Sequence, residues 1–176
     1  HQLTDDSFSL LQHYYQMELN GMPRAEAQAL AKATLMAKRY DSGKGYYFIT
    51  SPSNVIVAHP LKPEIIGKDM SNNQDPTGNY HFRKMSEIAQ QYPEGGFVQY
   101  YWEHKDYKEP LEKISYVRLF PEWGWIVGTG VHLLDVEAAY WSTAKGIITT
   151  SAIFIALLIG IITLISNSIR TPLDNV

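Results

Sequence analysis

Between Gly146 and Ile169 the chain reads GIITTSAIFIALLIGIITLISNSI, without one ionisable side chain, and Lys145 and Arg170 bracket it. No other stretch limits the possible folds as strongly. A helix needs about 20 predominantly apolar residues to cross the hydrocarbon core of a bilayer, whereas a buried core helix keeps a polar stripe or stops after about 10–14 apolar residues. The pattern predicts a transmembrane helix over residues 147–165, with Tyr140 and Trp141 placed for the aromatic belt at the membrane surface. One positive charge flanks each end, so charge alone does not orient the span. The chain starts at His1, and HQLTDDSFSLLQHYYQMELNGM reads as a helix entered midway, so an upstream segment, with a first membrane span in it, is expected.

Ahead of the span there is material for one packed domain: 176 residues in all, 45% apolar and 12% aromatic. The net charge of -3 comes with Lys and Arg scattered singly or in pairs, so the basic footprint of a nucleic-acid binder is missing. The absence of cysteine excludes disulfides, thiolate metal sites and a cysteine nucleophile.

Periodicity divides this domain. Phe8, Leu11, Tyr14, Tyr15 and Leu19 form a helical stripe over residues 4–20, ended by Asn20-Gly21. Pro23 opens a second, alanine-rich helix, PRAEAQALAKATLMAKRY. The period then changes to that of strands. GYYFIT and NVIVAHP predict a hairpin, followed by the long polar loop LKPEIIGKDMSNNQDPTGNY and a short helix, HFRKMSEIAQQY. Three further strand-like runs are GFVQYYWEH, EKISYVRLF and WGWIVGTGVHL. This order is α+β, one antiparallel sheet with helices packed on a face of it. WGWIVGTG sets the bulkiest and smallest residues side by side: the tryptophans are expected to close the base of the sheet at its membrane-proximal end, and the glycines to admit the long helix against the last strand.

GYYFIT with VIVAHP, GKDM, DPTGNYHFRKM, GGFVQYYW and KISYVRLFPEWGWIVGTGVHLLDV, in this order and spacing, resemble the single Cache domain family of bacterial receptor sensors over residues 4–140. The resemblance implies a PAS-like antiparallel sheet of about five strands behind a long N-terminal helix, with a small-molecule pocket over the sheet. It also implies that the domain lies outside the cytoplasmic membrane. SIRTPLDNV resembles the start of a HAMP linker. The implied division is a sensor domain at 1–140, a membrane-proximal segment and transmembrane helix at 141–169, and the linker start at 170–176. The implied protein is an inner-membrane chemotaxis receptor of the methyl-accepting type, dimeric, in contact with lipid, and sensing a small carboxylate of the acetate, propionate, pyruvate or lactate class. A sensor histidine kinase or a cyclic-dinucleotide enzyme would use the same input module, and a membrane-anchored structural domain without ligand is the rival from another class.

A pocket for such a ligand needs a few convergent polar groups on an aromatic wall. Strand alternation puts Tyr100 and Trp102 on one face and Tyr101 on the other. Lys113 and Tyr116 lie on the neighbouring run, Lys113 as a pocket cation or a solvated edge lysine. His59 donates to an anion or bonds a loop carbonyl; Arg83 grips a carboxylate bidentately or pairs with Glu87. Tyr46, Tyr47 and Phe48 supply wall on either face, with Tyr47 carried as a site candidate. Asp69 and Asp75 are the acids that could meet the amine of an amino acid. The sequence has no H-E-x-x-H, G-x-S-x-G or P-loop, His81 and His104 stand apart from any ligand spacing, and Gly43-Lys44-Gly45 reads as a helix-to-strand turn. No catalytic residue, metal ligand or cofactor is assigned.

Overall fold

A computed structural model describes residues 2–104 and 106–170. Helix α1 (Gln2–Leu19) stops at the predicted Asn20-Gly21 break. Gly21 has φ +105, and the N–H groups of Gly21 and Met22 reach the carbonyls of Glu18 and Met17, both at 3.0 Å. That left-handed cap turns the chain into α2 (Arg24–Ala37), with Pro23 one residue ahead of the first helical position. Glu18 fastens the corner, accepting from Arg24 Nε at 2.8 Å and from Trp123 Nε1 at 2.6 Å. Helix α2 ends before the predicted Lys38–Tyr40, because Tyr40 instead forms a bridge with Gly45.

The predicted hairpin is β1 (Tyr47–Thr50) with β2 (Ile56–Ala58). After the loop come α3 (His81–Gln91), β3 (Gly96–Trp102), β4 (Leu111–Phe120) and β5 (Trp125–His132). The strands form one antiparallel sheet in the order β2-β1-β5-β4-β3. The last strand is therefore central, bonded to β1 on one side and β4 on the other.

Helices cover both faces of this sheet, not one. Leu11 of α1 and Ala27, Ala31 and Leu35 of α2 pack against Tyr47, Ile49, Phe120, Trp125 and Val127. On the other face, Phe82, Met85 and Ala89 of α3 pack against Phe48, Val98, Tyr100, Val117 and Ile126. This is why β1 is buried at every position rather than at alternate ones. The stripe Leu11, Tyr14 and Tyr15 of α1 belongs to the first of these cores and is turned inward.

The role expected for the glycines of WGWIVGTG is corrected. A Cβ on Gly128 would collide with the ring of Phe48, and one on Gly130 with Ser115, both on the face away from α1. These glycines make room for side chains of the sheet, not for the helix. The tryptophans also lie elsewhere than expected: Trp125 starts β5, and it is His132 at the opposite end that joins α4.

The second compact unit consists of Asp135 onward. Helix α4 runs over Leu133–Arg170, and its segment up to Thr163 is the one helix among the described residues long and apolar enough to cross a membrane, with mean hydropathy 2.3. The resemblance to a linker start at 170–176 falls outside the described residues after Arg170.

Candidate functional site

Lys113 is the largest fully buried side chain of the domain, 1% exposed in the middle of β4. Strand alternation aims it, with Ser115 and Val117, at the α3 face, and antiparallel pairing sets Tyr100 of β3 and His132 of β5 directly opposite. Its Nζ donates to the hydroxyl of Tyr46 at 2.8 Å and stands 4.2 Å from the centroid of that ring. No carboxylate pairs with it among the described residues. Burial alone pushes the amine down to about 7.

An aromatic wall surrounds this amine. Tyr100 exchanges a 2.9 Å hydrogen bond with Ser115, and His81, the first residue of α3, lies flat on the Tyr100 ring at 4.7 Å between centroids. Trp102 closes the corner edge-on to His81 at 5.5 Å. His59 packs on Tyr46 at 5.2 Å and on Trp102 at 5.9 Å. Beyond His132, His104 continues the wall with centroids 4.8 Å apart.

The two inner histidines are neutral for the same reason. Burial, with help from the charges of Lys113 and Lys62, lowers His59 to about 3, and burial lowers His81 to about 4. The Nδ1 of His59 accepts the backbone N–H groups of Leu61 and Lys62 at 3.2 and 3.1 Å. It is thus an acceptor for loop amides rather than a donor to a loop carbonyl, and its proton resides on Nε2. Both ring nitrogens of His81 are buried and neither makes a well-formed hydrogen bond, although the backbone of Asn79 partly opposes the fall in its pKa.

The structure therefore brings together Lys113, Tyr100, Trp102 and His59 from the sequence candidates. Tyr47, Tyr101 and Tyr116 fall on the opposite face. Tyr47 belongs to the core under α1 and α2, where burial pushes its hydroxyl up to about 12; Tyr116 donates to the carbonyl of Glu94; Tyr101 offers its backbone N–H to Asp75 at 3.1 Å. Arg83 does not pair with Glu87. It donates to the carbonyl of Ser71 and, at 2.7 Å, to Asn72 Oδ1, tying the long loop to α3.

The acids proposed for an amine are engaged elsewhere. Asp75 Oδ1 accepts from Thr77 N, Thr77 Oγ1 and Asn79 N at 2.9, 2.6 and 3.0 Å. Burial opposes its charge, yet these bonds and that from Tyr101 outweigh it and hold the carboxyl at about 2. Asp69 accepts from Ser71 N at 2.8 Å at an exposed turn. The cluster is thus suited to an anion that brings no amine: one buried cation, hydroxyl and imidazole donors, and flat apolar walls. His81, His132 and Ser115 were not among the sequence candidates, and Tyr46 was named only as wall. For Ser115 the signal was available, since it is two residues from Lys113 on the same strand; for His81 none was, because its contact with Tyr100 joins a helix start to a strand.

Comparison with known proteins adds the family. The sequence profile described as Cache domain matches residues 1–153. The methyl-accepting chemotaxis protein McpP of Pseudomonas putida is 34% identical over 167 residues, 94% of this chain, which spans 30% of that receptor's length. The sensor histidine kinase MctS of Rhizobium johnstonii is 31% identical over 77% of this chain, here spanning 28% of the relative. Two solved structures superpose with TM-scores of 0.71. One, a periplasmic sensor domain of a chemotaxis protein, is 31% identical, with 74% of this chain and 90% of that one covered. The other, a Cache chemosensory domain described for its recognition of carboxylic acid, is 33% identical, with 74% and 88% covered. With the antiparallel five-stranded sheet, its flanking helices and this match along most of its length, the chain belongs to the Cache domain family.

Proposed function

We propose that this chain is the ligand-sensing portion of a membrane chemoreceptor that binds a small monocarboxylate through Lys113. The observation that carries the reading is a buried lysine with no carboxylate partner among the described residues. A buried cation without a counter-charge is unfavourable, and a ligand carboxylate would supply the missing charge while Tyr46 and the imidazoles donate to its oxygens. Support comes from the carboxylic acid recognition named for the Cache domain that is 33% identical. The polar groups are few and the walls aromatic, which fits acetate, propionate, pyruvate or lactate better than a sugar.

In this reading residues 1–140 form the extracytoplasmic sensor, residues 141–169 cross the inner membrane, and residues 170–176 begin a HAMP linker. β5 is followed directly by α4, so a shift of the central strand on binding would pass into the membrane helix. The receptor acts as a homodimer in contact with lipid. The histidine kinase relative supports a second reading for the output, since the same input module then serves phosphoryl transfer instead of chemotaxis.

Calorimetric titration of the chain in lipid nanodiscs with acetate, propionate, pyruvate and lactate tests the site. At least one should bind at millimolar concentration or below, and Lys113→Met should abolish binding. The lysine must be charged to hold an anion and its unliganded value is about 7, so the Kd should rise by up to about tenfold per pH unit above that value. Binding that survives in Lys113→Met would place the anion elsewhere.

A further inference from the structure

β2 and β3 are the two outermost strands of the sheet, yet the residues at their ends meet across the Lys113 face. His59, just past β2, touches Trp102 at the end of β3 and fixes the backbone N–H of Lys62 at 3.1 Å. Lys62 then lays its amine 5.3 Å from the centroid of the Trp102 ring and 2.5 Å from Oε2 of Glu103. The side chain of Lys62 is 19% exposed and that of Glu103 is 66% exposed. Trp102 in turn contacts His81 and Tyr100. A second lysine therefore stands at the rim of the same aromatic wall, and unlike Lys113 it carries its own acid.

That difference bears on which anions fit. Two uncompensated cations on one wall would favour a ligand with a carboxylate at each end, because each charge would find a partner. With Glu103 in place, a second carboxylate would meet a pair that is already neutral, lose its hydration and face the repulsion of the acid. We propose that Glu103 determines specificity: by neutralising Lys62 it leaves Lys113 as the cluster's uncompensated cation, among the described residues, and biases the site toward ligands with a single carboxylate. This rests on the assignment of Lys113 as the anion-binding residue.

The test compares propionate with succinate on the chain in nanodiscs at low ionic strength, where an exposed ion pair has its largest effect. The unsubstituted protein should prefer propionate. Glu103→Gln keeps the shape of an exposed side chain and should improve succinate affinity by about two- to fivefold, the scale of one exposed ion pair, while leaving propionate affinity unchanged. Adding Lys62→Met to Glu103→Gln should return the ratio to its original value. An unchanged ratio in Glu103→Gln, or a succinate gain that persists without Lys62, overturns the proposal while leaving Lys113 as the binding lysine. Failure of the unsubstituted protein to bind propionate, acetate, pyruvate or lactate overturns both the binding-site assignment and the selectivity that rests on it.

Discussion

A lysine in a protein core destabilises the fold as long as it is charged, and the sign of its pH dependence follows. In the unfolded chain the amine titrates at about 10.4, and in the folded chain at about 7. Between these values the unfolded state binds more protons, so stability rises with pH; below about 7 the penalty is complete. Tyr46 and Tyr100 cannot relieve it by ionising, since burial raises both hydroxyls. Lys113→Met should therefore raise the Tm of the unliganded chain at pH 6–7, and the difference should shrink as the pH approaches 10. A variant no more stable than the parent at pH 6 would mean that water or an anion solvates the amine. His59 and His81 act in the acid range: held at about 3 and 4, they cost stability as the pH falls below about 6.5.

At the scale of elements, most of the fold was legible in the sequence. The apolar period changed where helices gave way to strands, and Asn20-Gly21, Pro23 and the turn residues marked boundaries within a few positions. Alternation along YYW separated Tyr100 and Trp102 from Tyr101 correctly. It failed at GYYFIT, because every residue of β1 is buried and two-sided burial erases the polar-apolar rhythm that would have told Tyr46 and Phe48 from Tyr47. The inward stripe of α1 was legible as apolar but not as to its partner, which is α2 and the sheet rather than a second helix of a dimer. Gly128 shows the same limit, since its reason is the Phe48 ring on a strand far away in sequence. Gly128→Ala should lower the Tm by about 2–4 °C per kcal/mol of overpacking, with about 1–3 kcal/mol expected. Pairing it with Phe48→Leu should recover part of the loss; equal Tm values for Gly128→Ala and the parent would show that the ring moves aside freely.

For the molecule as a whole, the uncharged stretch at 146–169 sets the strongest test of the proposed function. Under the proposed topology, a reporter fused after Val176 should be active only as a cytoplasmic fusion, and one inserted near Asn73 only as an extracytoplasmic one. The reverse labelling would remove the receptor reading while leaving the Cache fold intact. The central position of β5 has a further consequence, for the timing of assembly. Its partners β1 and β4 bond to each other only through it, and β1 lies some eighty residues earlier, Tyr47 facing Thr129. Until the ribosome has released β5, no ladder can join the β1–β2 pair to the β3–β4 pair, and loop closure must then join distant segments in one late step. A chain that cannot complete its sheet before its last strand emerges stays unfolded for longer, which is the state that an export channel can thread.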